Sequence, residues 1–133
     1  MNTNINFQLG LLHFVHLLIH ADGLIDKREQ AAILAIKKEE QIPDEVINRF
    51  EKDIANRTEK EIYNDGINFL NQCTDEEKLT AVVHLYRLAQ ADDSIHAKEV
   101  RLLWYAMKVS HIDFDDVVLS ANLAQSKHEF PKE

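Results

Sequence analysis

Two short stretches hold the residues whose types and spacing could do chemistry. The first, His20-Ala21-Asp22-Gly23-Leu24-Ile25-Asp26-Lys27-Arg28-Glu29, offers three carboxylates within eight residues. The second, Gln90-Ala91-Asp92-Asp93-Ser94-Ile95-His96-Ala97-Lys98-Glu99, lies 70 positions further on and repeats Ala, Asp, Ile and Glu at the same four places. Hard cations such as Ca²⁺ and Mg²⁺ take several oxygen ligands, and a carboxylate that follows a tight loop can close on an ion held at the loop's start. Asp22 to Glu29 matches the last eight positions of a twelve-residue EF-hand loop, with Gly23 at the turn and Glu29 at the end. Leu18 and His20 stand where that loop needs carboxylates or amides, and in the second copy those places hold Leu88 and Gln90. The expectation is therefore a half-loop that holds a cation with help from water or the other copy, not an ordinary EF-hand.

Local structure accounts for part of this pattern. Asp26-x-x-Glu29 resembles a capping box with Asp in place of Ser or Thr, and Gly23 suits a turn that needs positive φ. Capping alone predicts that Asp26 should recur with Glu29, yet His96 stands with Glu99 in the second copy. What recurs is the pair seven apart, Asp22 with Glu29 and Asp92 with Glu99. Those four are the candidate metal ligands, with Asp26 auxiliary, and Ca²⁺, Mg²⁺ or Mn²⁺ the candidate ions.

A second candidate set is histidine. His13, His16 and His20 fall within an arc of about 60° on a helix turning roughly 100° per residue. His16 and His20, four apart, have a spacing that can bind zinc. Phe14, Val15, Leu18 and Ile19 fill the opposite arc, so the plain expectation is an amphipathic helix with the histidines as its polar stripe. Their counterparts Val83, Tyr86 and Gln90 exclude a symmetric histidine site.

The elements that must position these residues read as helices. Asn4 to Ala21 is a long apolar helix, and Asp26 opens another that runs to about Glu40. Pro43-Asp44-Glu45 suits the first turn of a short helix to about Lys52. Thr58-x-x-Glu61 and Thr74-x-x-Glu77 are capping boxes for helices to about Gln72 and Ala91. A helix from Ala97 to Val109 and a last one from Asp113, its N-cap, to about Ala124 complete the set. Lys37-Lys38-Glu39-Glu40 reads as a solvated helix end. Trp104 and Tyr105, aligned with Leu34 and Ala35, read as core-facing. No stretch alternates with period two long enough for a strand.

The result is an all-α bundle of about seven helices with an internal pseudo-two-fold repeat, two helix-loop-helix units at residues 11–53 and 81–124. Residues 1–125 form one domain, and 126–133 a polar C-terminal tail. At the 70-residue offset Leu18, Ala21, Asp22, Ile25, Glu29, Lys38 and Ile42 each find an identical partner.

Composition narrows the function. With 15 Lys and Arg against 23 Asp and Glu, the formal net charge is −8, opposite to what phosphate backbones or anionic membranes attract. No nucleic-acid partner is expected. Leu9 to Ile19 is apolar but too short to span a bilayer, no Lys or Arg precedes it and no small-residue cleavage motif follows. A cytoplasmic protein without a membrane span is the expectation. The single cysteine, Cys73, permits no intramolecular disulfide and reads as a packed thiol. No phosphate loop, nucleophile elbow, HExxH or catalytic carboxylate pair is present, so the chain is read as non-catalytic.

ADGLIDKRE on a helix-loop-helix, echoed by ADDSIHAKE, resembles the TerB-like family, which takes in the tellurite-resistance protein TerB and the N-terminal domain of the co-chaperone DjlA. The resemblance covers roughly residues 5–125. It implies an all-helical domain with internal two-fold character, a role in metal or stress response, and the acidic loop residues as metal ligands. Asp93 in place of Gly and His96 in place of Asp depart from the pattern in the second copy. The competing expectation is an interaction module whose acidic loops dock a basic protein partner without any metal.

Overall fold

The fold is organised around a helix whose middle is buried on every side. In the computed structural model, α1 spans Ile5–Ile19, and every residue from Phe7 to His16 is buried. A helix apolar around its whole circumference has no solvent face. His13 and His16 are accordingly 1% and 0% exposed, so neither forms part of the expected solvent-facing stripe, and His20 lies outside the described residues. The structure describes residues 4–19, 27–91, 97–107, 109 and 113–129, and only the backbone for Arg28, Ala97 and 124–129.

Six further helices surround it among the described residues: α2 (Lys27–Glu40), α3 (Asp44–Ile54), α4 (Glu59–Asn71), α5 (Asp75–Ala91), α6 (Ala97–Ala106) and α7 (Phe114–Glu129). There are no strands among the described residues, and the architecture is the expected all-α bundle. Helix α1 packs against α2, α3, α4 and α5, while α5 packs against α6 and α7. The buried positions of α6 (Val100, Leu103, Trp104), with Met107 just past its end, and those of α7 (Phe114, Val117, Ala121) follow helical spacing. Trp104 is core as expected, but Tyr105 and Leu34, the repeat counterpart of Trp104, are 54% and 64% exposed. The last helix runs on to Glu129 rather than ending near Ala124.

The starts are set by local chemistry. Thr58 accepts from the Glu61 backbone at 3.2 Å while Glu61 accepts from Thr58 at 2.9 Å, a complete capping box. Thr74 and Glu77 repeat it at the same distances. The second box is tied to the first helix as well, since the Asn4 side-chain amide donates to both Glu77 carboxylate oxygens. Pro43 is the N-cap of α3 rather than its first turn, with extended φ and ψ of −64° and 151°. At Asp113, the backbone N–H donates to Asp116 Oδ2 at 3.1 Å.

Two features fix the approach of neighbouring helices. A Cβ at Gly66 of α4 would lie 2.7 Å from Phe14 Cε2 of α1, so the missing side chain is what lets the two helices approach. The end of α2 is closed by Gln41, whose φ of 53° is left-handed. Ile42 N–H donates to Lys37 O at 2.9 Å, the six-to-one bond of a Schellman motif. Ile42, the residue after the reversal, is 2% exposed and anchors it in the core.

The starts of α1, α2 and α3, at Ile5, Lys27 and Asp44, are each followed 70 residues later by those of α5, α6 and α7. This is a recurrence of helix starts along the chain, with α4 between. The surroundings of matched residues do not recur, as the site shows.

Candidate functional site

Helix α2 presents one buried face made of Glu29, Ile33, Ile36 and Glu40. These positions follow the i, i+4, i+7, i+11 spacing that keeps side chains on one side of a helix. Two isoleucines are therefore flanked by two carboxylates, and each carboxylate meets a histidine of a different helix. Glu29, 0% exposed, places Oε2 2.7 Å from Nδ1 of His16 on α1. Glu40, 6% exposed, places Oε2 2.7 Å from Nε2 of His84 on α5. Taking carboxylates out of water is costly unless they are paired and hydrogen-bonded. These pairs give α2 a fixed rotation and a fixed axial position against two helices at once.

The His84 end extends toward solvent. Glu39 lies 3.9 Å from His84 Nδ1 and accepts from Arg87 at 3.1 Å. The expectation of a solvated Lys37–Glu40 segment thus holds for exposed Lys38 and Glu39 but fails for Glu40. Because Glu40 is the last helical residue before the left-handed Gln41, the reversal of the chain holds it beneath the helix end.

The sequence candidates are distributed unevenly. Glu29 and His16, which belonged to two separate metal hypotheses, are brought together. Asp22, Asp26, His20 and Asp92 lie outside the described residues. Glu99, the repeat partner of Glu29, is exposed in the first turn of α6. It borders an open groove of about 680 Å³ between α4 and α6. Matched positions thus have opposite environments: one carboxylate is buried against a histidine, the other faces solvent. Glu29 faces His16, whose repeat position is held by Tyr86, a ring packed on Phe114.

His16 is the described side chain best prepared for a metal. With Nδ1 on Glu29, its Nε2 is buried and has no hydrogen-bond partner among the described residues. A carboxylate on one ring nitrogen is the usual way a protein orients a metal-binding histidine. Among the described residues no three His, Cys, Asp or Glu side chains converge closely enough to hold an ion.

The remaining titratable groups behave as core. His13 Nδ1–H donates to Leu9 O at 2.6 Å, and its ring lies 5.6 Å from that of Phe50 and 5.2 Å from that of Phe69. Burial holds its pKa below the ordinary 6.5. Burial, followed by the charge of Glu77, pushes the Cys73 thiol up to about 11. At neutral pH that thiol stays protonated, as a packed side chain should and a thiolate nucleophile should not.

Sequence reasoning missed Glu40 and His84. The signal was present in the eleven-residue spacing of Glu29 and Glu40, which puts both on the face of Ile33 and Ile36.

No helix among the described residues is long and apolar enough to cross a membrane. No curated protein and no solved structure matches the chain. The family described as tellurite resistance protein TerB matches over residues 8–119.

Proposed function

The chain belongs to the TerB family, and on that premise we propose that it is a non-catalytic module that binds a divalent cation at its acidic loops in a stress-response or regulatory setting. Asp22, Asp26 and Glu29 supply oxygens on the first loop, and Asp92 and Glu99 on the second. The observation that carries this reading is the His16–Glu29 pair. It fastens the end of α1 to the start of α2 at 2.7 Å, and the segment bearing Asp22 and Asp26 connects those two points. A loop whose ends are fixed loses less entropy on closing around an ion. The net charge of −8 adds long-range attraction for cations.

Zinc has its own supporting observation in the oriented His16 imidazole. His16 and His20, with Asp22, form that alternative ligand set.

Titration of the ¹⁵N-labelled chain with Ca²⁺, Mg²⁺, Mn²⁺ and Zn²⁺ tests both. The expected result is saturable perturbation of amides flanking residues 20–26 and 92–96, abolished by Asp22→Asn with Asp92→Asn. Loss of a Zn²⁺ response on His20→Gln, with the Ca²⁺ response intact, selects the histidine set. No saturable response to any of the four ions overturns the cation reading.

A further inference from the structure

The groove beside Glu99 is a surface separate from the buried pairs. Its floor is Leu17 and Leu18 of α1, both half-buried, and its walls are α4 and α6. Each wall carries a carboxylate in its first turn and an apolar side chain one turn on: Glu59 with Tyr63, and Glu99 with Leu102. Tyr63 and Leu102 are 39% and 67% exposed. Glu59 and Glu99 are exposed and have no ion-pair partner among the described residues. Lys60, on the α4 wall, is the one cation among the described lining residues.

We infer that this groove docks an amphipathic helix of another protein, one that sets leucine-like side chains between Tyr63 and Leu102 and lysines or arginines against Glu59 and Glu99. A helix suits it because helices form the walls, and no strand edge among the described residues can be extended by a partner strand. A helix arrives with its backbone hydrogen bonds made and contributes side chains at i, i+3 and i+4. Charge selects the sign: carboxylates on both walls favour cations, and a net charge of −8 steers a basic partner toward the chain.

Charge disfavours a second copy of this chain as the occupant. Helix α7 exposes an apolar ridge, Leu119 and Leu123, at 59% and 56%. One turn before Leu119 it carries Asp115 and Asp116, both exposed. Placed in the groove, that ridge would set carboxylates against Glu59 and Glu99.

The inference does not depend on a bound cation, and its test is run in EDTA so that the two proposals fail separately. Three labelled synthetic peptides serve as probes in fluorescence anisotropy: an amphipathic leucine–lysine helix, its leucine–glutamate counterpart, and a scrambled leucine–lysine peptide of identical composition. The leucine–lysine helix is expected to bind saturably and the other two at least roughly tenfold more weakly. Leu102→Asn, an exposed change that leaves the circular dichroism spectrum unaltered, should weaken binding by a similar factor. Glu59→Lys with Glu99→Lys should reverse the order of the lysine and glutamate peptides. Equal binding of the ordered and scrambled peptides, or indifference to Leu102→Asn, overturns the inference, because bulk charge alone would then explain the attraction. Self-association of the chain that Leu102→Asn or Leu123→Asn abolishes also overturns it, in favour of a second copy as the occupant.

Discussion

His16 Nδ1 and Glu29 Oε2 meet at 2.7 Å with both side chains at 0% exposure, joining the central helix to the one that follows the first acidic loop. Residues expected to act as separate ligands are thus partners of one another.

That relationship makes Glu29 and Glu99 energetically unlike. Glu29→Ala leaves His16 buried without its carboxylate, a loss of about 3 kcal/mol for a broken buried pair. Glu99→Ala removes an exposed carboxylate and should cost within about 0.5 kcal/mol. Urea denaturation of the two variants checks this. Equal losses would mean that the repeat carries the same environment in both halves.

The stability of the fold should respond to His13. Its pKa is depressed by burial in the native state and ordinary, near 6.5, when unfolded. The unfolded chain therefore binds more protons between those two values. The contribution of neutral His13 is fully present above pH 6.5 and is lost as pH falls from there toward the native pKa. His13→Phe keeps a ring against Phe50 and Phe69 without the titration. Between about pH 7.5 and 5.5, wild type should lose more stability than the variant, up to ~1.4 kcal/mol per pH unit. Parallel pH profiles would remove His13 as the cause.

Gly66→Ala gains about 1 kcal/mol of helix propensity, yet it should destabilise the chain. The new methyl would sit 2.7 Å from Phe14 Cε2, and overpacking costs about 1–3 kcal/mol. The expected sign is set by the clash. Phe14→Leu in the Gly66→Ala background should recover part of the loss in thermal melts, and no recovery would place the strain elsewhere.

Gln41→Gly should stabilise. A side chain at φ 53° is strained, and glycine is the usual residue at this point of a Schellman motif. A gain of roughly 0.5–1 kcal/mol is expected, while Gln41→Val should lose stability because a β-branched residue is least tolerated there. Denaturation midpoints of the two variants should move in opposite directions.

Much of the architecture is legible in the order of residues alone. Two Thr-x-x-Glu boxes, the Pro43-Asp44-Glu45 start and the spacing of Val100, Leu103, Trp104 and Met107 involve neighbours within one or two turns, so short-range rules find them. The 70-residue recurrence of helix starts was readable for the same reason. The acidic loops were legible as candidates, and the TerB family is shown over residues 8–119.

What burial does to a polar residue was decided only by tertiary structure. The sequence marks His13 and His16 as a stripe because it records side-chain type and angle, but neighbours on all sides of α1 leave no solvent for a stripe to face. It marks Glu40 as part of a charged helix end because its partner, His84, is 44 residues away. It writes Glu29 and Glu99 alike, and the fold sets them in opposite environments, one against His16 and the other facing solvent. The free energy of a carboxylate depends on whether water or a histidine occupies the next 3 Å or so, and that is a property of the packed helices.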